Sequence, residues 1–137
     1  MTKLYVVDDD PSFLKLLGEV APPIGLDIIT AADFATFRST YGGEANAIVM
    51  VDMIMPGSDG IELINWLSEQ ARPAAIILVS GYSEHYTRLA GSLAEAKGLA
   101  VVARLAKPIK LGVLRATLAD ARTAAAAAIP NPAVSRD

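Results

Sequence analysis

The chain has 137 residues, 53% of them hydrophobic and 20% charged, enough for one domain with a real core and too few for two ordinary ones. Its 12 basic residues against 15 acidic ones leave a formal charge of -3, and no run of Lys or Arg occurs, which argues against a direct nucleic-acid surface. There is no cysteine for a disulfide or thiolate site, no apolar run approaches the ~18 residues of a membrane span, and the N-terminal stretch is too short for a signal peptide. The expectation is a soluble, cytoplasmic domain.

Leu4–Val7 reads as a buried strand that stops in Asp8-Asp9-Asp10 and Pro11. Asp10 before a proline is the start signal of a helix, so its expected role is an N-cap. Phe13, Leu16, Leu17 and Val20 give that helix its apolar face, and "APP" at 21–23 is expected to stop it. Leu26–Thr30 is the second strand, and a short helix over Ala32–Tyr41 closes at Gly42-Gly43. Ala47–Val51 is the third strand and runs into Asp52. "MPGSDG" then reads as a Gly/Pro turn, with Asp59 capping a helix marked by Ile61, Ile64, Leu67 and Ala71. Ala75–Val79 is the fourth strand, leading into Ser80-Gly81. Tyr86, Leu89, Leu93 and Ala96 mark the fourth helix, which Gly98 ends. Leu99–Ala103 is the fifth strand, followed by Lys107-Pro108. Leu111, Leu114, Leu118 and Ala121 mark the fifth helix, prolonged by Ala124–Ala128. His85 and Trp66 read as a surface residue and helix packing, and the methionines as packing or loop filler.

Five strand–helix units with short connections imply an α/β domain, a doubly wound five-stranded parallel sheet. Such sheets bind ligands beyond the carboxyl ends of their strands. At four of the five ends stand residues of a chemical kind: Asp8-Asp9-Asp10, Asp52, Ser80-Gly81 and Lys107. Close carboxylates need a cation to stay ionised together, and Mg²⁺ suits a site with few of them; Mn²⁺ is a possible substitute. A lysine and a serine add contacts for a phosphoryl group, so the set describes phosphoryl transfer to or from a carboxylate.

The motifs "VVDDDP", "VMVDMIMPGSDGIEL", "LVSGY" and "LAKPI", in this order and spacing, resemble the receiver domains of two-component response regulators from about Lys3 to Arg122. The resemblance implies the flavodoxin-like strand order 2-1-3-4-5 and a cis bond between Lys107 and Pro108. It implies that Asp52 is the phosphoacceptor, served by a histidine kinase or histidine phosphotransfer protein. Asp8, Asp9, Asp52 and the Ile54 backbone carbonyl would hold the metal, Asp9 more directly than Asp8. Lys107 and Ser80, with Gly81, would engage the phosphoryl group. The face of the fourth helix, fifth strand and fifth helix would then switch, toward a downstream effector or a homodimer.

Two departures stand out. The position three residues before the lysine, often Tyr or Phe in this family, is Arg104, and Tyr82 is a candidate to supply the missing aromatic readout. The acidic stretch of receivers with winged-helix outputs is replaced by "GLAVVARLAKP", which argues against that dimerising class. Bulk at Ile54 and Tyr82 is expected to shield the phosphorylated aspartate from water. Residues 1–123 are expected to form the receiver, and 124–137 a helix extension and Pro-containing tail, a possible linker stub to an effector. Two rivals are a haloacid-dehalogenase-type phosphohydrolase, with Asp8 as nucleophile and Asp10 as acid/base in "DDDPS", and a receiver-like binding module that works without phosphorylation.

Overall fold

In the computed structural model, residues 1–55, 58–72, 74–81 and 84–127 are described. Five strands form one parallel sheet: β1 (Thr2–Val7), β2 (Leu26–Ala31), β3 (Ile48–Asp52), β6 (Ala75–Ser80) and β7 (Ala100–Ala106). Their order is β2-β1-β3-β6-β7, which is 2-1-3-4-5 when only the strands of this sheet are counted. The turn after Asp52 holds a feature the sequence does not suggest, a two-residue antiparallel ladder of β4 (Ile54–Met55) and β5 (Ser58–Asp59).

Side chains alternate between two cores, as the two-residue period of a strand requires. Leu4 and Val6 of β1, Ile48 and Met50 of β3, and Ile77 and Val79 of β6 face α1 (Pro11–Ile24) and α5 (Leu111–Ala127). Tyr5, Val49, Ile76 and Leu78 face α2 (Phe34–Thr40), α3 (Gly60–Ser68) and α4 (Glu84–Ala96). Met50 thus belongs to a central strand, not to a helix or loop. The edge strand β7 is only half covered, and it carries an irregularity: Ile76 pairs with Val101 but Ile77 with Ala103, so Val102 is an extra residue.

α1 begins as the sequence predicts, with Asp10 accepting hydrogen bonds from the backbone N–H of Ser12 and Phe13, and Pro11 in the first turn. It does not stop at Ala21-Pro22-Pro23. The helix runs to Ile24 and ends on Gly25 in the left-handed conformation, φ 93°. The carbonyls that lose their donors to Pro22 and Pro23 belong to Gly18 and Glu19, both exposed, so the loss falls on the solvent side.

The buried face of α4 also departs from expectation. Thr87, Ala90, Gly91 and Ala94 face the sheet, whereas Leu89 is 54% exposed, Ala96 is exposed and Leu93 is half-buried. Leu89 and Leu93 mark the shoulder of this helix because its close approach to the sheet favours small residues; the Tyr86 side chain lies outside the described residues. In α5, Leu114, Leu118, Ala121 and Ala125 are buried, but Leu111 is 40% exposed.

Candidate functional site

β1 and β3 are neighbours in register, so Asp8 and Asp52, one residue beyond Val7 and Val51, emerge side by side at the same edge of the sheet. Carboxylate oxygens of Asp8, Asp9 and Asp52 all lie within 4.8 Å of one another. Asp8 is only 1% exposed. Its Oδ1 accepts from the Asp10 N–H at 2.9 Å, while its buried Oδ2 lacks a hydrogen bond of good geometry among the described residues and faces Lys107 Nζ at 2.9 Å as an ion pair. Asp9 is exposed. Asp52 Oδ1 accepts from the Ile54 N–H at 3.0 Å, and its Oδ2 lies 3.5 Å from Lys107 Nζ.

Lys107 follows β7 and is held by its own N–H, which donates to the Ser80 carbonyl at 2.8 Å. The Lys107–Pro108 peptide is cis. The ammonium sits 4.8 Å from the centroid of the Phe13 ring, and Asp10 Oδ2 is 3.9 Å away. One cation therefore faces three carboxylates across an aromatic floor. Neither Phe13 nor Asp10 is singled out by sequence motifs as a neighbour of this lysine; the only signal is that Asp10 ends the acidic run and Phe13 sits in the helical turn that follows it.

Burial raises the Asp52 carboxyl above the ordinary carboxylate range, and the nearby Asp8 charge adds to it; the Ile54 N–H and Lys107 pull the other way without cancelling it. For Lys107, burial disfavours the ammonium, but Asp8, Asp52 and Asp10 outweigh that penalty and hold its pKa above the usual lysine value. Each carboxylate favours the charged form of the lysine.

Asp10, Phe13, Asp52, Ile54, Gly81 and Lys107 are among the residues lining a cavity of about 670 Å³ over this site. Ile54, 44% exposed, stands at its lip. Ser80 faces the other side of the sheet. It lines a separate cleft of about 640 Å³ between α4 and β7, together with Thr87, Arg88 and Arg104. Gly81 borders both spaces. Arg104 is 41% exposed and lies on α4, its Nη2 3.4 Å from Glu95 Oε1. Tyr82 lies outside the described residues. His85 is exposed.

Of the residues picked from sequence, Asp8, Asp9, Asp52, Ile54, Gly81 and Lys107 come together at one strand-end site, while Ser80 and Arg104 share the neighbouring cleft. Among the described residues, no helix is long and apolar enough to cross a membrane.

Residues 4–119 match the family model of the response regulator receiver domain. The transcriptional regulatory protein FixJ of Bradyrhizobium diazoefficiens is 31% identical over 134 residues, which are 98% of this chain and 63% of that protein. The alkaline phosphatase synthesis transcriptional regulatory protein PhoP of Bacillus subtilis is 29% identical over 89 residues, 65% of this chain and 37% of that protein. The chain thus spans less than two thirds of the length of these relatives. Among solved structures, a response regulator from Colwellia psychrerythraea superposes with a TM-score of 0.73 at 31% identity, covering 90% of this chain and 98% of that one. A BeF3-activated DrrB receiver domain gives 0.71 at 26% identity, over 88% and 97% of the two chains. By these matches, and with a sheet order that fits them, the chain belongs to the response regulator receiver domain family of two-component signalling.

Proposed function

We propose that this chain works as a phosphorylation-operated switch in which Asp52 accepts a phosphoryl group from a histidine kinase or histidine phosphotransfer protein. The observation that carries the reading is the buried Asp8–Lys107–Asp52 constellation beside the exposed Asp9, with an Asp8 oxygen left without a well-formed hydrogen bond. That donor set fits a hard divalent ion: three carboxylates, all-oxygen, with one solvent-facing member. Asp8, Asp9, Asp52 and the Ile54 carbonyl would hold Mg²⁺, with Mn²⁺ as a substitute. When bound, the ion supplies charge neutralisation for the carboxylates and for the incoming phosphoryl oxygens.

The Ile54 N–H fixes the Asp52 carboxylate through Oδ1. An Asp52 oxygen attacks phosphorus, the P–N bond to the donor histidine breaks, and the electron pair leaves with the imidazole. Lys107, already ionised and positioned 3.5 Å from Asp52, pairs with the transferred group's oxygens. Ser80, which faces the neighbouring cleft, would swing toward it from the end of β6, with Gly81 bordering both spaces. The α4–β7–α5 face then presents the changed state to a downstream effector or a second copy of the chain.

We place the receiver module at residues 1–123 and treat 124–137 as an extension that could lead to an effector. Geometry does not favour the phosphohydrolase rival: Asp8 is enclosed against Lys107, and Asp10 Oδ1 is committed to capping α1. Mg²⁺-dependent binding of beryllofluoride, followed by NMR or calorimetry, tests the proposal. Wild type should bind and Asp52→Asn should not; a wild-type protein that fails to bind removes the central claim.

A further inference from the structure

α4 is held to the sheet in an unusual way. Among its described side chains, those fully buried are Thr87, Ala90, Gly91 and Ala94, all small, with Leu93 half-buried beside them, so the apolar area removed from water at this contact is modest. A glycine inside a helix is also unfavourable relative to alanine, and Gly91 has no positive φ to require it. Its reason is Arg104. A Cβ placed at position 91 would lie 2.5 Å from both Nε and Nη2 of that arginine, which passes over the helix at this point. One turn further on, Glu95 meets the guanidinium at 3.4 Å.

The orientation of Arg104 is itself set by the extra residue Val102. On either side of it, Val101 packs toward the α4 side, while Val102 and Ala103 both pack toward α5. Strict alternation from Val101 would have turned Arg104 to the α5 side; the bulge returns it to α4. Arg104 pairs in register with Leu78, two residues before Ser80, and it shares the 640 Å³ cleft with Ser80 and Gly81. The same strand continues to Lys107, whose N–H is bonded to the Ser80 carbonyl. Any shift of the β6 end toward a group on Asp52 therefore moves a wall of the cleft in which Arg104 lies.

From this we infer that Arg104, seated over Gly91 and tied to Glu95, is a latch that clamps α4 onto β7 and opposes the phosphorylated form. For its link to Asp52 the inference rests on the function proposed above. Both side chains of the ion pair are substantially exposed, so the clamp is weak by itself. A weak clamp suffices because the helix it holds has a thin apolar contact, and a two-state element responds to small differential contacts. The empty volume beside Arg104 gives the released side chain a place to go.

Hydrogen exchange over Glu84–Ala96, combined with beryllofluoride titration in Mg²⁺, tests the latch in wild type, Gly91→Ala and Glu95→Gln. In the ligand-free protein both variants should exchange about two- to fivefold faster in α4. For Gly91→Ala this is the opposite of what helix propensity alone predicts, since alanine favours the helix. Both variants should also bind beryllofluoride about two- to fivefold more tightly. Unchanged or slower α4 exchange in both variants overturns the clamp, whether or not beryllofluoride binds. Faster exchange with unchanged beryllofluoride affinity overturns its coupling to Asp52. Failure of the wild type to bind at all is a different result, which removes the proposed function and the coupling with it.

Discussion

Asp8 and Asp9 are adjacent in sequence and alike in chemistry, yet the fold gives them different duties. Asp8 is enclosed, hydrogen-bonded to the Asp10 N–H and paired with Lys107, so it belongs to the structure of the site. Asp9 points to solvent and has no such ties among the described residues. Replacing Asp9 with Ala should therefore change the metal-free stability by no more than ~0.5 kcal/mol. It should also remove most of the stabilisation that saturating Mg²⁺ gives the wild type, which urea melts with and without the ion will read. Asp52 offers a second test. Burial raises its pKa, so the folded state binds a proton that the unfolded state releases more readily. The stability this represents is present below the unfolded carboxyl pKa and is lost as pH rises through the higher folded value. At neutral pH without metal, ionised Asp52 thus costs stability, and Asp52→Asn should have the higher urea midpoint. That advantage should shrink as the pH falls below about 4, the ordinary aspartate range. A variant no more stable than wild type at neutral pH would contradict the burial argument.

At the scale of elements, sequence and structure agree where a single physical signal dominates. Central strands of a parallel sheet are apolar on both faces, so β1, β3 and β6 stand out as continuous runs, and the strand-end rule then leads directly to Asp8, Asp52 and Lys107. α4 was harder to orient because hydrophobic periodicity weighs large residues. Tyr86, Leu89, Leu93 and Ala96 keep a helical spacing, but Leu89 and Ala96 are exposed and the sheet accepts the neighbouring stripe of Thr87, Ala90, Gly91 and Ala94. Pro22 and Pro23 read as a stop because the sequence does not say whether the carbonyls they deprive, those of Gly18 and Glu19, face solvent. The Val102 bulge left no trace at all: in "AVVARLA" every residue before Arg104 is apolar, so either face suits it. Its effect is nonetheless large, since it decides which side of the sheet Arg104 takes and sets the position from which Lys107 reaches Asp8. Deleting Val102 should restore simple alternation with Ala103 still opposite Ile77, leaving Arg104 and Lys107 on their present faces. The expected cost in urea denaturation is about 1 kcal/mol, the lost packing of Val102, with beryllofluoride binding retained. Loss of binding would show that the local twist of the bulge, and not side-chain order alone, positions Lys107.

Across the whole molecule, the two faces of the sheet are stabilised by different means. On the α1/α5 side the strand ends carry the charged site. On the other side, an aromatic cluster of Tyr5, Phe34, Phe37, Tyr41 and Trp66 joins β1 to α2 and α3 through edge-on and tilted ring contacts. Tyr5 completes its hydrogen bonding there, donating to Glu44 Oε1 at 2.7 Å and accepting from the Gly42 N–H at 2.9 Å. Among the described residues, the buried Tyr41 hydroxyl has no hydrogen-bond partner. Burial, with the charges of Tyr5 and Glu44, pushes the Tyr41 phenol up to about 12. Because the folded pKa lies above the unfolded value near 10, stability from this group is intact below pH 10 and declines as the pH rises from 10 toward 12. The decline cannot exceed about 1.4 kcal/mol per pH unit, and partial solvent access to the half-buried ring makes it smaller. Tyr41→Phe removes both the orphaned hydroxyl and its titration. It should raise stability at neutral pH by about 1 kcal/mol, and its advantage over wild type should widen between pH 10 and 12. Trp66, 5.8 Å from the Tyr41 ring, is the protein's single tryptophan, and its fluorescence reports the unfolding transition directly. An advantage that stays constant across that pH range would mean that the Tyr41 phenol ionises as freely in the folded protein as in the unfolded chain.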